Sequence, residues 1–150
     1  MAGSKKNGLI RRGFQGAMGG AAATGSMSAF FGLSDVCGYM NNEPPRLIVQ
    51  KFLPMLSPDE TDAAALVSHV GYGVSAGTLY GALVPPRWRG VITGVAYGLA
   101  IWAVSYEGWV PALGIMPTPQ RDKPGRAVTV LLAHVVYGGT LGVVARRRAR

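Results

Sequence analysis

Four windows of this 150-residue chain contain no Asp, Glu, Lys or Arg, and they restrict its fold more than any other feature. They are residues 13–34, 63–86, 90–106 and 127–145. A helix of about 20 residues, with about 17 as the lower limit, crosses the hydrocarbon core of a membrane. We therefore predict an all-α integral membrane protein. It would form a four-helix bundle in a single domain, 1–150, with spans at about 13–34, 63–84, 90–108 and 127–145.

The composition agrees with this prediction. Hydrophobic residues make up 49% of the chain and charged residues 15%, whereas about a quarter of the residues in water-soluble domains are charged. The 22 glycines would weaken helices exposed to water, but transmembrane helices tolerate glycine and use it for packing.

The charged residues between the windows predict the orientation. If the N-terminus is cytoplasmic, the inner side carries ten basic residues and no acid, and the outer side carries five basic residues and all seven acids. An excess of Lys and Arg marks the cytoplasmic side of membrane proteins. We therefore predict a multi-pass protein of the bacterial inner membrane with both termini cytoplasmic. The net charge of +8 then reflects topology and not nucleic-acid binding, and the basic tail 146–150 suits anionic lipid head groups.

The first window also resembles an export signal, because Arg11 and Arg12 precede an apolar stretch. It is longer than a typical signal core and three more windows follow, so we predict that this helix is retained. The single Cys37 excludes an internal disulfide, and we interpret it as an inert residue.

The second and fourth windows share a phrase, which suggests a duplication. The sequence His-Val-Gly-Tyr-Gly at 69–73 is echoed by His-Val-Val-Tyr-Gly at 134–138. We interpret the chain as two tandem helical hairpins that form parallel repeats about an axis along the membrane normal. The outer segment 35–62 between the first two spans would contain a short amphipathic helix, 46–56, on the membrane surface.

Glycines recur at every fourth position in all four spans. Residues four apart lie on one face of a helix, and small residues there let helix backbones approach closely in lipid. We predict that these glycines pack the helices together and that the same faces could hold the protein in a larger complex or a homo-oligomer. The set is Gly16, Gly20, Gly73, Gly77, Gly81, Gly90, Gly94, Gly98, Gly138 and Gly142.

Two histidines, His69 and His134, lie at equivalent positions of the two hairpins, about two helical turns inside the predicted outer edge. Polar groups at this depth usually face the interior of a bundle. Each imidazole could bond to a hydroxyl or carbonyl of a neighbouring helix. Alternatively, the pair could bind haem b, or a transition metal with Asp35, Glu107 or Cys37, or could handle protons together with Tyr72 and Tyr137.

The chain contains none of the common catalytic motifs, such as G-x-S-x-G, H-E-x-x-H or a phosphate-binding loop. The H-V-x-Y-G phrase and the glycine spacing resemble small bacterial four-span inner-membrane proteins of the YagU-like group. This resemblance implies an integral membrane protein of unknown biochemical activity, and it assigns no catalytic residues to this chain. We therefore predict an accessory subunit without enzymatic activity of its own, with a haem-, metal- or proton-binding protein as the alternative.

Overall fold

The computed structural model of the chain describes residues 2–40 and 43–148, with side chains from Asn7 onward. The backbone of these residues forms helices and no strand, which confirms the all-helical class. The helices are α1 (Ala2–Val36), α2 (Pro44–Phe52), α3 (Pro58–Leu83), α4 (Val91–Trp102), α5 (Val110–Ala112) and α6 (Pro124–Arg147). A 3₁₀ turn, Pro86–Trp88, precedes α4, and a π-helix, Ala103–Trp109, continues it.

Local sequence signals explain where these helices begin and end. Ser57 accepts a hydrogen bond from the backbone N–H of Glu60, whose carboxylate in turn accepts one from the backbone N–H of Ser57, so a capping box starts α3. After α1, Gly38 adopts a φ of +78°, a left-handed conformation that favours glycine and closes a helix end. Helix α2 ends at Phe52, before the expected 56, because Pro54 disfavours helical backbone at Leu53.

Helices α1 and α3 pack antiparallel with their backbones in contact. A Cβ atom added to Gly16 would lie 2.2 Å from the carbonyl oxygen of Gly77, and one added to Gly20 would lie 2.4 Å from that of Gly73. A Cβ on Gly81 would lie 2.4 Å from the carbonyl oxygen of Arg12. Real Cβ contacts are never this short, so only glycine permits the observed approach of the two helices.

Helices α4 and α6 form a second antiparallel pair with the same kind of contact. Cβ atoms added to Gly94 and Gly98 would lie 2.1 and 2.3 Å from the carbonyl oxygens of Gly138 and His134. A Cβ on Gly142 would lie 2.2 Å from the carbonyl oxygen of Gly90, whereas a Cβ on Gly90 itself would meet nothing within 4 Å. Gly90 therefore takes part in the contact through its carbonyl oxygen, and the contact does not require a glycine at this position.

The two pairs join through aromatic and aliphatic side chains. Helix α1 lies against α6, where Leu141 packs against Gly19. The Tyr97 hydroxyl of α4 donates to the carbonyl of Ala76 in α3 at 2.8 Å, and its ring lies 5.2 Å from that of Tyr80. These contacts form a core that runs along the line where the four long helical segments meet.

The surface of these helices is apolar. Ile92 is 86% exposed and Val67 is 72% exposed, and Phe14, Leu66, Leu83 and Val104 are exposed to similar degrees. Among the described residues, the helix Pro124–Arg147 alone is both long and apolar enough to cross a membrane. Only 39% of its most apolar 18-residue window is buried in the protein.

Candidate ligand-binding chamber

A cavity of about 200 Å³ lies between the helices near the end of the molecule where α1 ends and α3 begins. We call it the histidine chamber, because His69 of α3 and His134 of α6 both line it. Helix α2 contributes Pro44, Pro45 and Ile48 to its wall. The chamber therefore draws on every long helix and on the short helix that follows α1.

The π-helix forms one wall of the chamber. Its wider turn, with bonds between residues five apart, places side chains four and five positions apart on one face. Ser105, Tyr106 and Trp109 line the chamber from this segment, together with Ile101 before it and Val110 after it. The irregular turn therefore brings a row of inward-facing side chains to the cavity.

Most of the chamber lining is apolar or aromatic. Met27 and Phe31 come from α1, Ala76 from α3, and Met116 and Val130 from the last third of the chain. The Phe31 ring lies 6.3 Å from the imidazole of His69. Such a wall, interrupted by a few polar groups, is typical of sites for small organic molecules.

His134 has a defined hydrogen-bonding role. Its Nδ1 lies 2.8 Å from the carbonyl oxygen of Val130, one turn earlier in α6. A carbonyl can only accept, so Nδ1 carries the proton, and in a neutral ring Nε2 is left as an acceptor. Among residues 7–40 and 43–148, no hydrogen-bond partner lies within reach of Nε2.

His69 bonds across helices, to α1. Its Nδ1 lies 3.4 Å from the Ser28 hydroxyl, a long hydrogen bond in which either group can donate. Nearby, the hydroxyl of the buried Tyr137 crosses from α6 and donates to the carbonyl of Gly73 in α3 at 2.7 Å. His69 and Tyr137 thus tie α1, α3 and α6 together around the chamber, whereas the hydrogen bond of His134 stays within α6.

A second, polar pocket of about 610 Å³ adjoins the chamber, and His69 and Pro45 line both. We call it the acidic vestibule, because Asp35, Glu43 and Asp62 line it. Arg46, the one Arg or Lys among its described lining residues, forms an ion pair with Asp62 at 3.2 Å. Burial, together with the nearby carboxylates of Asp35 and Asp62, raises the pKa of Glu43.

The metal ligands suggested by the sequence lie apart. Asp35 lines the vestibule beside His69, His134 lies in the chamber, and the exposed Glu107 accepts a hydrogen bond from Gln120. Cys37 is exposed beyond the end of α1. In the part of the chain that the structure describes, no three His, Cys, Asp or Glu side chains are grouped to hold a metal ion.

The size of the chamber also bears on haem binding. A cavity of about 150 Å³ holds one benzene molecule, so about 200 Å³ holds a single substituted ring. A porphyrin with four pyrrole rings does not fit in this volume.

One polar cluster near the chamber was not predicted from the sequence. The Tyr106 hydroxyl donates to Asp122, and Arg126 donates to the same carboxylate through Nε at 2.8 Å. Although burial alone would raise the pKa of Asp122, these hydrogen bonds hold it below its usual value. The i, i+4 spacing of Asp122 and Arg126 could have indicated their pairing, but the partnership with Tyr106 depends on tertiary structure.

Comparison with known proteins identifies the family of this chain but assigns it no function. Searches of curated proteins and of solved structures found no match to the chain. Residues 10–150 match the family of unknown function DUF6789, which covers all six helices from the first third of α1 onward. The chain therefore belongs to the DUF6789 family.

Proposed function

We propose that this chain is a four-span inner-membrane protein that binds a small apolar molecule in the histidine chamber. The observation that carries the proposal is the chamber itself, a cavity of about 200 Å³ with an apolar lining and a few inward-facing polar groups. Sites for small molecules in helical proteins are commonly built between the helices of a bundle.

The distribution of polarity supports a membrane location. Glycines, Thr24 and Tyr137 are buried between the helices, whereas large apolar side chains such as Ile92 and Val67 point outward. In water these side chains would form exposed apolar patches, which in soluble proteins mark sites of association with another protein or a membrane. The core helix of a soluble protein would also be mostly buried, and α6 is not.

The positions of the charges support the orientation. Gly81 contacts Arg12, and Gln15 contacts Arg148. These contacts place the start of α1, the turn before α4 and the end of α6 at the same end of the molecule. The described charges at this end are basic: Arg11, Arg12, Arg87, Arg89, Arg146, Arg147 and Arg148. The acids lie toward the other end, which would face outward under the positive-inside rule.

The packing of the helices supports the tandem-hairpin interpretation. The pairs α1–α3 and α4–α6 both cross through glycines spaced four apart, with carbonyl oxygens where Cβ atoms would be. Equivalent contacts in the two halves are what a duplicated hairpin would retain.

The single cysteine allows a direct test of orientation. In spheroplasts, a membrane-impermeant maleimide should label the exposed Cys37, because it lies near the acid-rich end. The matched control is Cys37→Ser combined with Arg148→Cys, which moves the thiol to the basic end and should be labelled only after lysis. Labelling of the control in intact spheroplasts, or recovery of the protein without detergent, would overturn the proposed topology.

Ligand binding is testable with a fluorinated probe. We expect the ¹⁹F resonance of 4-fluorotoluene to broaden and shift in nanodiscs that contain the protein, relative to empty nanodiscs. Ala76→Leu fills the chamber and should abolish this difference, whereas Leu83→Ala, on an exposed face outside the chamber, should preserve it. Equal spectra with and without the protein would refute the proposed function.

The accessory-subunit hypothesis remains a second candidate. The glycines of the four spans are largely occupied by contacts within the chain, so they are not free to bind a partner. However, Ala21, Gly25 and Ala29 form an exposed row on α1, and a Cβ on Gly25 would meet nothing within 4 Å. If this row binds a partner helix, Gly25→Leu should reduce the mass of the complex purified from native membranes. An unchanged mass would count against the accessory role.

A further inference from the structure

The hydrogen-bonding groups around the histidine chamber are mostly acceptors. The hydroxyls of Thr24, Ser68 and Ser105 donate to backbone carbonyls of their own helices, at 2.8, 3.1 and 2.8 Å. The Tyr137 hydroxyl donates to the Gly73 carbonyl and that of Tyr106 to Asp122. Each of these hydrogens is therefore committed, while the oxygens keep lone pairs that can accept.

His134 follows the same pattern. Its Nδ1 proton is committed to the Val130 carbonyl, so the neutral ring offers the acceptor Nε2. The other lining side chains with donors are His69, which shares a bond with Ser28, and the partly exposed Tyr72 and Trp109. A ligand that brings its own hydrogen-bond donors is therefore matched by most polar groups of the chamber, whereas an acceptor finds donors chiefly at the partly exposed Tyr72 and Trp109.

The acidic vestibule adds an independent preference for positive charge. It shares His69 and Pro45 with the chamber, so the two spaces lie against the same two residues. Arg46 is paired with Asp62, so no other Lys or Arg among the described lining residues of the vestibule pairs with the carboxylates of Asp35 and Glu43. Opposite charge nearby favours a cation at this position.

From these two observations we infer that the ligand is a small amine with an apolar body. This inference rests on the proposed function and names its ligand class. The apolar body, no larger than one substituted ring, lies in the chamber among Phe31, Met27 and Val130. The ammonium group lies beside His69 and faces Asp35 and Glu43 across the wall between the two spaces.

The test compares three probes that share one ring. They are 4-fluorobenzylamine, which is a cationic donor, 4-fluorotoluene, which is neutral, and 4-fluorobenzoate, which is an anionic acceptor. Dissociation constants are measured by ¹⁹F NMR on the full chain in nanodiscs of zwitterionic lipid, with empty nanodiscs as the blank. A hydrogen bond from a charged donor is stronger than one between neutral groups, so we expect the amine to bind at least about tenfold more tightly than the toluene.

Variants of the vestibule separate charge from shape. Glu43→Gln and Asp35→Asn keep the size of each side chain, and we expect both to reduce the preference for the amine several-fold without changing 4-fluorotoluene binding. The matched control is Asp59→Asn, an exposed carboxylate at the same end that lines neither space. It should leave all three dissociation constants unchanged.

The outcomes distinguish this inference from the proposed function. If 4-fluorotoluene binds in the chamber and the amine binds no more tightly, or benzoate binds most tightly, the amine assignment is wrong and the chamber remains a ligand site. A preference for the amine that survives in both vestibule variants would likewise overturn it. If none of the three probes binds, both the inference and the proposed function fail.

Discussion

Single polar side chains connect the two helix pairs where glycine contacts do not. Tyr137 is 3% exposed, and its hydroxyl spans from α6 to the Gly73 carbonyl in α3. Thr24 fills the space beside Gly73, since a Cβ there would lie 1.9 Å from its hydroxyl oxygen. Gly73 of α3 therefore contacts side chains from both α1 and α6.

We expect Tyr137→Phe to lower the free energy of unfolding modestly. The substitution removes the bond to Gly73 but keeps the ring, and hydrogen bonds between transmembrane helices contribute about 0.6 kcal/mol on average and up to about 1.7 kcal/mol. Denaturant unfolding in detergent measures this loss. Tyr72→Phe is the control, because Tyr72 is 49% exposed and makes no hydrogen bond to the described residues. An equal loss in both variants would contradict the role of Tyr137.

Asp122 should make stability depend on pH in the acid range. Its side chain is 1% exposed, and its pKa in the folded state lies below the ordinary value of 3.8. A carboxyl group with a lowered pKa stabilises the fold above its unfolded pKa, and this contribution disappears as the pH falls through the folded value. Below about pH 3.8, thermal midpoints should therefore fall more steeply in the wild type than in Asp122→Asn. Parallel pH profiles would refute this.

Helices meet through glycine at positions where a side chain would push backbones apart. This holds at Gly77, where a Cβ would lie 2.5 Å from both the Gly16 carbonyl oxygen and the Gly20 Cα. Gly71, less than two turns earlier on the same helix, has open space around the same position. The two glycines have the same helix propensity, so a comparison between them isolates the effect of the contact.

We expect Gly77→Leu to prevent α1 and α3 from packing and Gly71→Leu to be tolerated. The leucine at 77 has no free volume to occupy, whereas the leucine at 71 points outward. Size-exclusion profiles and thermal midpoints in detergent measure the outcome. If Gly77→Leu melted within a few degrees of Gly71→Leu, close backbone contact would not be what holds these helices together.

At the level of elements, the sequence predicted the helical class from its charge-free windows, and the structure confirms that class. The sequence prediction began the second span at 63, whereas α3 begins at Pro58, because Ser57 and Glu60 form a capping box there. The π-helix was not predicted from the sequence either. Its position depends on how Tyr106 and Trp109 pack against other helices, and hydrophobic periodicity carries no such information.

The whole molecule is electrically asymmetric, and this bears on the membrane location that we propose. Arg146, Arg147 and Arg148 end α6 beside the start of α1, where Arg148 contacts Gln15 and Met18. Arg87 lies in the turn at the same end. Basic residues next to a membrane attract anionic lipids by about 1 kcal/mol each.

We expect anionic lipid to stabilise the folded protein more than zwitterionic lipid does. The triple variant Arg146→Gln, Arg147→Gln, Arg148→Gln should lose most of this difference, because it removes three of the exposed positive charges at that end. Thermal midpoints in nanodiscs with and without phosphatidylglycerol measure the effect. Arg121→Gln, at the acid-rich end, is the control and should retain the full difference.

The sequence by itself determined the helices, the separation of charges between the two ends and the glycines that could line helix faces. These depend on local composition and on the fixed period of a helix. Tertiary structure decided which glycine faces which backbone, where the π-helix lies, and that His69 and His134 open onto one chamber beside Asp35 and Glu43. A cavity is the space left by side chains from distant segments, and its size and polarity exist only once those segments have packed.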